Sequence, residues 1–111
     1  MTPEKLDLLQ GTLDMLVLQV LSGGPMHGWG IAARIQLLSK DTLQLQEGTI
    51  YPALYRMEQK AWVRAEWGQS ENNRRARFYE LTKDGRKQLA AEAKDWDRLC
   101  AAISAIMEAP P

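Results

Sequence analysis

The chain has 111 residues, 45% hydrophobic and 25% charged, enough for one domain with a real core and too apolar for wholesale disorder. A single cysteine, Cys100, excludes an intramolecular disulfide framework, and no grouping of Cys and His has the spacing of a transition-metal site. Lys plus Arg and Asp plus Glu number 14 each, so any charged partner must be met by a local patch rather than by net charge.

The start, Met1-Thr2-Pro3-Glu4-Lys5, lacks the basic and apolar stretches of a signal peptide. Leu13 to Leu21, the most apolar segment, contains Asp14 and Gln19 and is too short for a bilayer, so a soluble cytoplasmic protein without a membrane partner is expected. A first helix is predicted from Thr12 as N-cap, with an earlier turn over Pro3 to Gln10. Leu13, Leu16, Val17, Val20 and Leu21 share one of its faces, and Ser22-Gly23-Gly24-Pro25 stops it. A second helix is predicted from Gly28 to Ser39, with Ile31, Ile35 and Leu38 inward.

The third helix is predicted from Thr49, as cap, to Lys60, with Glu47 near its positive end and Pro52 in its first turn. Ile50, Leu54 and Met57 form its apolar stripe, which leaves Tyr51, Tyr55, Arg56 and Gln59 elsewhere on its surface. Two strands follow, Trp62 to Trp67 and Ala76 to Leu81, around the polar turn Gly68-Gln69-Ser70-Glu71-Asn72-Asn73-Arg74-Arg75. Thr82 is predicted to cap a last helix reaching Met107, about 36 Å long at 1.5 Å per residue. In that helix Leu89, Trp96 and Ile103 recur every seven residues, with Leu99 and Ile106 at the intervening heptad position, where Glu92 interrupts the seam. A helix of that length outruns a small domain, which favours pairing with a second subunit over covering its own core. Trp96 could also wall a site for a flat aromatic effector.

Helix, helix, helix, hairpin, helix is the order of a winged helix-turn-helix with an extension. The expected fold is thus mainly α with a small β-hairpin wing. Residues 1–82 form the DNA-binding domain and 83–111 the C-terminal dimerisation helix. Charge distribution agrees with a nucleic-acid partner: residues 56–87 hold nine Lys/Arg against five Asp/Glu, and the rest of the chain the reverse balance. Thr49, Tyr51, Tyr55 and Arg56 lie near the start of a helix that can enter a major groove about 12 Å wide. Either tyrosine alone could equally be packing against its neighbours. Arg74, Arg75 and Arg77 crowd the wing, with Arg75 and Arg77 on one strand face, where guanidinium planes can grip phosphates. Charges of this kind also protect an exposed strand edge, but three arginines exceed that need. His27 is expected to satisfy the start of the second helix or touch a phosphate. With no nucleophile–base pair, no glycine-rich phosphate motif and no cofactor implied, an enzyme is not expected.

Four segments carry a resemblance: Gly11-Thr12-Leu13-Asp14, Gly24-Pro25-Met26-His27-Gly28-Trp29, Glu47-Gly48-Thr49-Ile50-Tyr51-Pro52-Ala53-Leu54 and Tyr79-Glu80-Leu81-Thr82-Lys83-Asp84-Gly85-Arg86. Together they resemble the PadR-like family of transcriptional regulators, in its compact subgroup with one C-terminal helix. The resemblance implies a dimeric repressor on a palindromic double-stranded operator. It assigns DNA contact to Thr49, Tyr51, Pro52 and Tyr55, with Arg74, Arg75 and Arg77 from the wing, and an aromatic effector in some relatives to the place of Trp96. Two departures stand out. Trp29 replaces the usual tyrosine, and Ala61 replaces a frequent glycine after the third helix, where a helix ending differently is expected over a left-handed alanine. The competing reading is a winged helix used for protein interaction without DNA.

Overall fold

The computed structural model describes residues 10–111, apart from the side chains of Gln10 and Glu47. The turn expected over Pro3 to Gln10, and any share of Leu6 to Leu9 in a dimer contact, lie outside the described residues. The elements run α1 (Gln10–Leu21), β1 (Met26–His27), α2 (Gly28–Leu38), α3 (Glu47–Gln59), β2 (Val63–Gln69), β3 (Arg75–Leu81) and α4 (Lys83–Glu108). The fold is a mainly helical winged helix, and its three strands form one antiparallel sheet in the order β1-β3-β2.

The core forms where the apolar stripes of α1, α2 and α3 meet the sheet. Leu13, Val17, Leu18, Val20 and Leu21 from α1 pack with Ile31 and Ile35 from α2. Ile50, Leu54 and Met57 from α3 and Val63, Tyr79 and Leu81 from the hairpin close the cluster. Leu16 is only partly buried, and Leu38, expected to face inward, is 59% exposed. The chain leaves α2 at Ser39 and turns through left-handed Lys40 and Asp41.

Three local expectations are corrected by the backbone. Helix α1 is already helical at Gln10, so Thr12 lies within it rather than capping it. Helix α3 begins two residues before Thr49, behind an extended Gln46 that makes no side-chain cap bond. Thr49 is therefore an exposed residue of the first turn, its N–H donating to the Gln46 carbonyl at 2.9 Å. Pro52 then sits in the second turn, where its missing N–H would have bonded the carbonyl of Gly48. Gly48 is exposed, so that carbonyl is left to water and the helix continues.

The end of α3 is the third correction. Ala61 adopts φ +61°, and the chain closes with Trp62 N–H on the Met57 carbonyl at 2.9 Å and Ala61 N–H on the Glu58 carbonyl at 3.0 Å. This is the Schellman arrangement, in which the left-handed position favours glycine. Alanine pays about 1–2 kcal/mol for that conformation, less the entropy a glycine would lose on folding. Ala61→Gly should accordingly stabilise the protein by about 1 kcal/mol, read as a higher urea midpoint at unchanged slope. An unchanged midpoint would mean that the neighbouring contacts already relieve the strain.

The start of α4 locks onto this corner. Thr82 caps the helix, its Oγ1 accepting from Gly85 N–H at 3.0 Å while donating to the Ala61 carbonyl at 2.5 Å. Its own N–H donates to the Trp62 carbonyl at 3.0 Å. From there Leu89 packs partly buried against the domain's own core. Trp96, Leu99, Ile103 and Ile106 are 42% to 72% exposed, an apolar row left uncovered among the described residues.

Candidate nucleic-acid interface

One face of the domain collects the exposed side of α3, the first turn of α2 and the concave side of the hairpin. Burying Ile50, Ala53, Leu54 and Met57 completely forces Tyr51, Pro52 and Tyr55 outward by helical periodicity. Tyr51 lies across the start of α2 because Gly28 has no side chain. A Cβ there would come within 2.7 Å of the tyrosine ring.

The hairpin register arms the opposite wall. Trp67 pairs with Arg77 and Gln69 with Arg75, so Trp67, Arg75 and Arg77 share the face that also bears buried Tyr79. The Arg75 guanidinium lies 4.5 Å above the Trp67 ring, a cation–π contact that holds it extended over the wing. On the other face Arg64 and Glu80, directly opposite in the register, form a cross-strand ion pair. The turn is closed by Ser70 N–H on the Arg74 carbonyl at 2.8 Å and by a left-handed Asn73, which places exposed Arg74 at the wing tip.

Between these walls runs a groove of about 710 Å³ lined by Trp29, Tyr51, Trp67 and the three wing arginines, with His27 and Glu71 at one end. His27 caps α2. Its Nδ1 accepts from Gly30 N–H at 2.9 Å, which leaves the ring proton on Nε2, 3.6 Å from the Glu71 carboxylate. Glu71 is held below the usual carboxylate range, first by its own backbone N–H and then by His27. Trp29 stacks on the His27 ring at 6.1 Å and is 53% exposed. Strand β1 lets this happen by pairing His27 with Phe78, whose ring meets the imidazole edge-on.

Arg56 and Arg77 are engaged by carboxylates. Arg56 turns back toward α1 and donates to Asp14 at 3.1 Å, with 8% of the Asp14 side chain exposed. Burial raises the Asp14 carboxyl above its ordinary range, and the Arg56 charge and hydrogen bond offset part of that rise. Arg77 donates to Glu58 of α3 at 2.9 Å. Tyr51 thus shares one groove with Arg74, Arg75 and Arg77 and an adjoining one with Pro52 and Tyr55, Thr49 is exposed at the start of α3, and Arg56 and Arg77 are paired with carboxylates.

Trp67, Asp14 and Glu58 are not identified from sequence, and Trp29 stands out there only as a replacement for the usual tyrosine. Asp14 interrupts an otherwise apolar helix face, and Trp67 falls in step with Arg75 across the hairpin. Those two signals were present. Nothing local marks Glu58. Among the described residues no group of acidic, Cys and His side chains could hold a metal, and no helix is long and apolar enough to cross a membrane.

The family model of the transcriptional regulator PadR-like family matches residues 17–91. A PadR-like transcriptional regulator from Bacillus cereus superimposes with a TM-score of 0.79 at 20% identity, over 92% of this chain and 97% of that one, a likeness of fold. A PadR family transcription regulator from Clostridium difficile gives 0.74 at 27% identity, over 86% of this chain and 97% of the other. A 37.1 kDa protein of a Streptomyces fradiae transposon is 41% identical over 86 residues, 78% of this chain but only 23% of that protein.

Proposed function

Because the chain belongs to the PadR-like family, whose members are transcriptional regulators and not enzymes, we propose that it acts as a homodimeric repressor on a palindromic operator. The observation that carries the reading is the single open face of exposed tyrosines and wing arginines. On it, Thr49, Tyr51, Pro52 and Tyr55 meet the major groove, and Arg74 and Arg75 reach the flanking phosphates. The N-terminal end of α3 adds the favourable field of a helix start toward phosphate. Residues 1–82 serve as the reading head and 83–111 as the dimerisation helix.

The uncovered row Trp96, Leu99, Ile103 and Ile106 supports pairing through α4, with Leu89 at its rooted end. Two reading heads joined this way engage half-sites about 34 Å apart when the sites lie one turn apart. A flat aromatic effector seated at Trp96 would release DNA by favouring a different spacing of the heads. Trp96→Ala should loosen the dimer, seen as dissociation in sedimentation at low protein concentration. A dimer of unchanged strength would move the interface elsewhere.

Replacing both Arg74 and Arg75 by alanine should weaken binding to every duplex and flatten the salt slope by about 2, one phosphate per arginine. An unchanged slope would take the wing out of the interface. The whole reading is tested by selecting bound duplexes from a random library near physiological salt. Enrichment of a two-fold symmetric motif supports it. No enrichment, with no salt-dependent binding, favours a winged helix that meets protein instead.

A further inference from the structure

The ion pair between Glu58 and Arg77 sits where neither partner is explained by its own element. Glu58 occupies the last turn of α3, the end of a helix at which the backbone field disfavours a carboxylate. It also places a negative charge beside a face built to meet phosphates. Its side chain is only 27% exposed, and its Oε2 takes the Arg77 guanidinium at 2.9 Å. Arg77 comes from the middle of β3, opposite Trp67, and its guanidinium also approaches the ring of buried Tyr79 at 6.0 Å. The pair therefore joins α3 to the wing, with Arg77 lining the groove between them and Glu58 an adjoining one.

We propose that Glu58 is a positioning residue for DNA recognition, holding Arg77 as a brace between wing and α3 and withholding that cation from the backbone of non-operator DNA. The inference rests on the reading that this face meets DNA. A guanidinium released from Glu58 could swing to a phosphate. It would add affinity for any sequence and loosen the spacing on which reading a particular sequence depends. Arg74, exposed at the wing tip, and Arg75, extended on Trp67, have no carboxylate partner among the described residues, so they supply the phosphate contacts while Arg77 supplies the geometry.

The test measures binding of Glu58→Gln, Arg77→Gln and the double variant to a selected duplex and to a scrambled duplex of equal length, across a salt series. Glu58→Gln should raise affinity for the scrambled duplex about tenfold and steepen its salt slope by about 1. Affinity for the selected duplex should rise less, so discrimination falls. In the Arg77→Gln background the same change should do neither, because its effect runs through Arg77. Equal gains in both backgrounds would mean that the carboxylate merely repels phosphate, and would overturn the proposal. Amide exchange read without DNA keeps the brace testable by itself: Glu58→Gln should speed exchange over residues 70–75, and unchanged protection there would overturn it. Wild-type protein that binds no duplex at any salt would instead overturn the DNA reading.

Discussion

Arg56→Ala should lower stability by about 2 to 3 kcal/mol at neutral pH, and most of that loss should vanish in acid. Truncation leaves the Asp14 carboxylate, 8% exposed, without the one charged hydrogen-bond donor it has among the described residues. Breaking a fully buried pair costs about 3–5 kcal/mol, and the partial exposure of Arg56 brings the expected value down. The pH dependence follows from the direction in which burial moves Asp14. A carboxyl raised above its ordinary 3.8 contributes stability in its protonated form, present below that value and lost as pH rises through the folded one. Removing Arg56 takes away the influence that limits the rise. The difference between variant and wild type should therefore be small below pH 3.8 and grow to its full size toward neutrality. Thermal unfolding at fixed protein concentration over that range would read it, as a fall in Tm of roughly 10 °C at pH 7. A difference independent of pH would assign Arg56 a packing role only.

Gly85→Ala should cost about 3 kcal/mol or more, although alanine is the better helix former. A Cβ at this position would overlap the backbone carbonyl of Trp62, an atom no rotamer change can move aside. Gly85 is buried in the first turn of α4, where its N–H is also the donor that Thr82 captures. Relief would require the helix to lift from the α3–β2 corner, breaking the Thr82 bonds to Ala61 and Trp62. Urea unfolding would report the loss, and a variant as stable as wild type would mean that α4 can tilt freely there. The close approach has a functional side, since α4 carries the uncovered apolar row. On the proposed pairing through α4, its angle on the domain would set how far apart two reading faces stand.

Several features of this protein are written locally in its sequence. Apolar residues at three- and four-residue spacing define α1 to α4, because a helix must bury one stripe whatever lies opposite. Thr82 announces its cap, since a hydroxyl before a helical run bonds a backbone N–H three residues on. Tyr51 and Tyr55 are outward once Ile50, Leu54 and Met57 are inward. The arginine-rich wing is visible as composition, and four segments carry the family. Tertiary structure decided what depends on residues distant in the chain. Strand β1 is two residues long and exists because β3 offers it an edge, a partner no local pattern reveals. Ala61 is left-handed because Thr82 and the docked α4 fix the corner around it. Arg56 and Arg77 read in sequence as surface cations like Arg74 and Arg75. They differ because Asp14 lies 42 residues before one and Glu58 19 residues before the other, close enough to bond only in the folded chain. Charge type is a local property, whereas the partner that spends or frees a charge is set by packing.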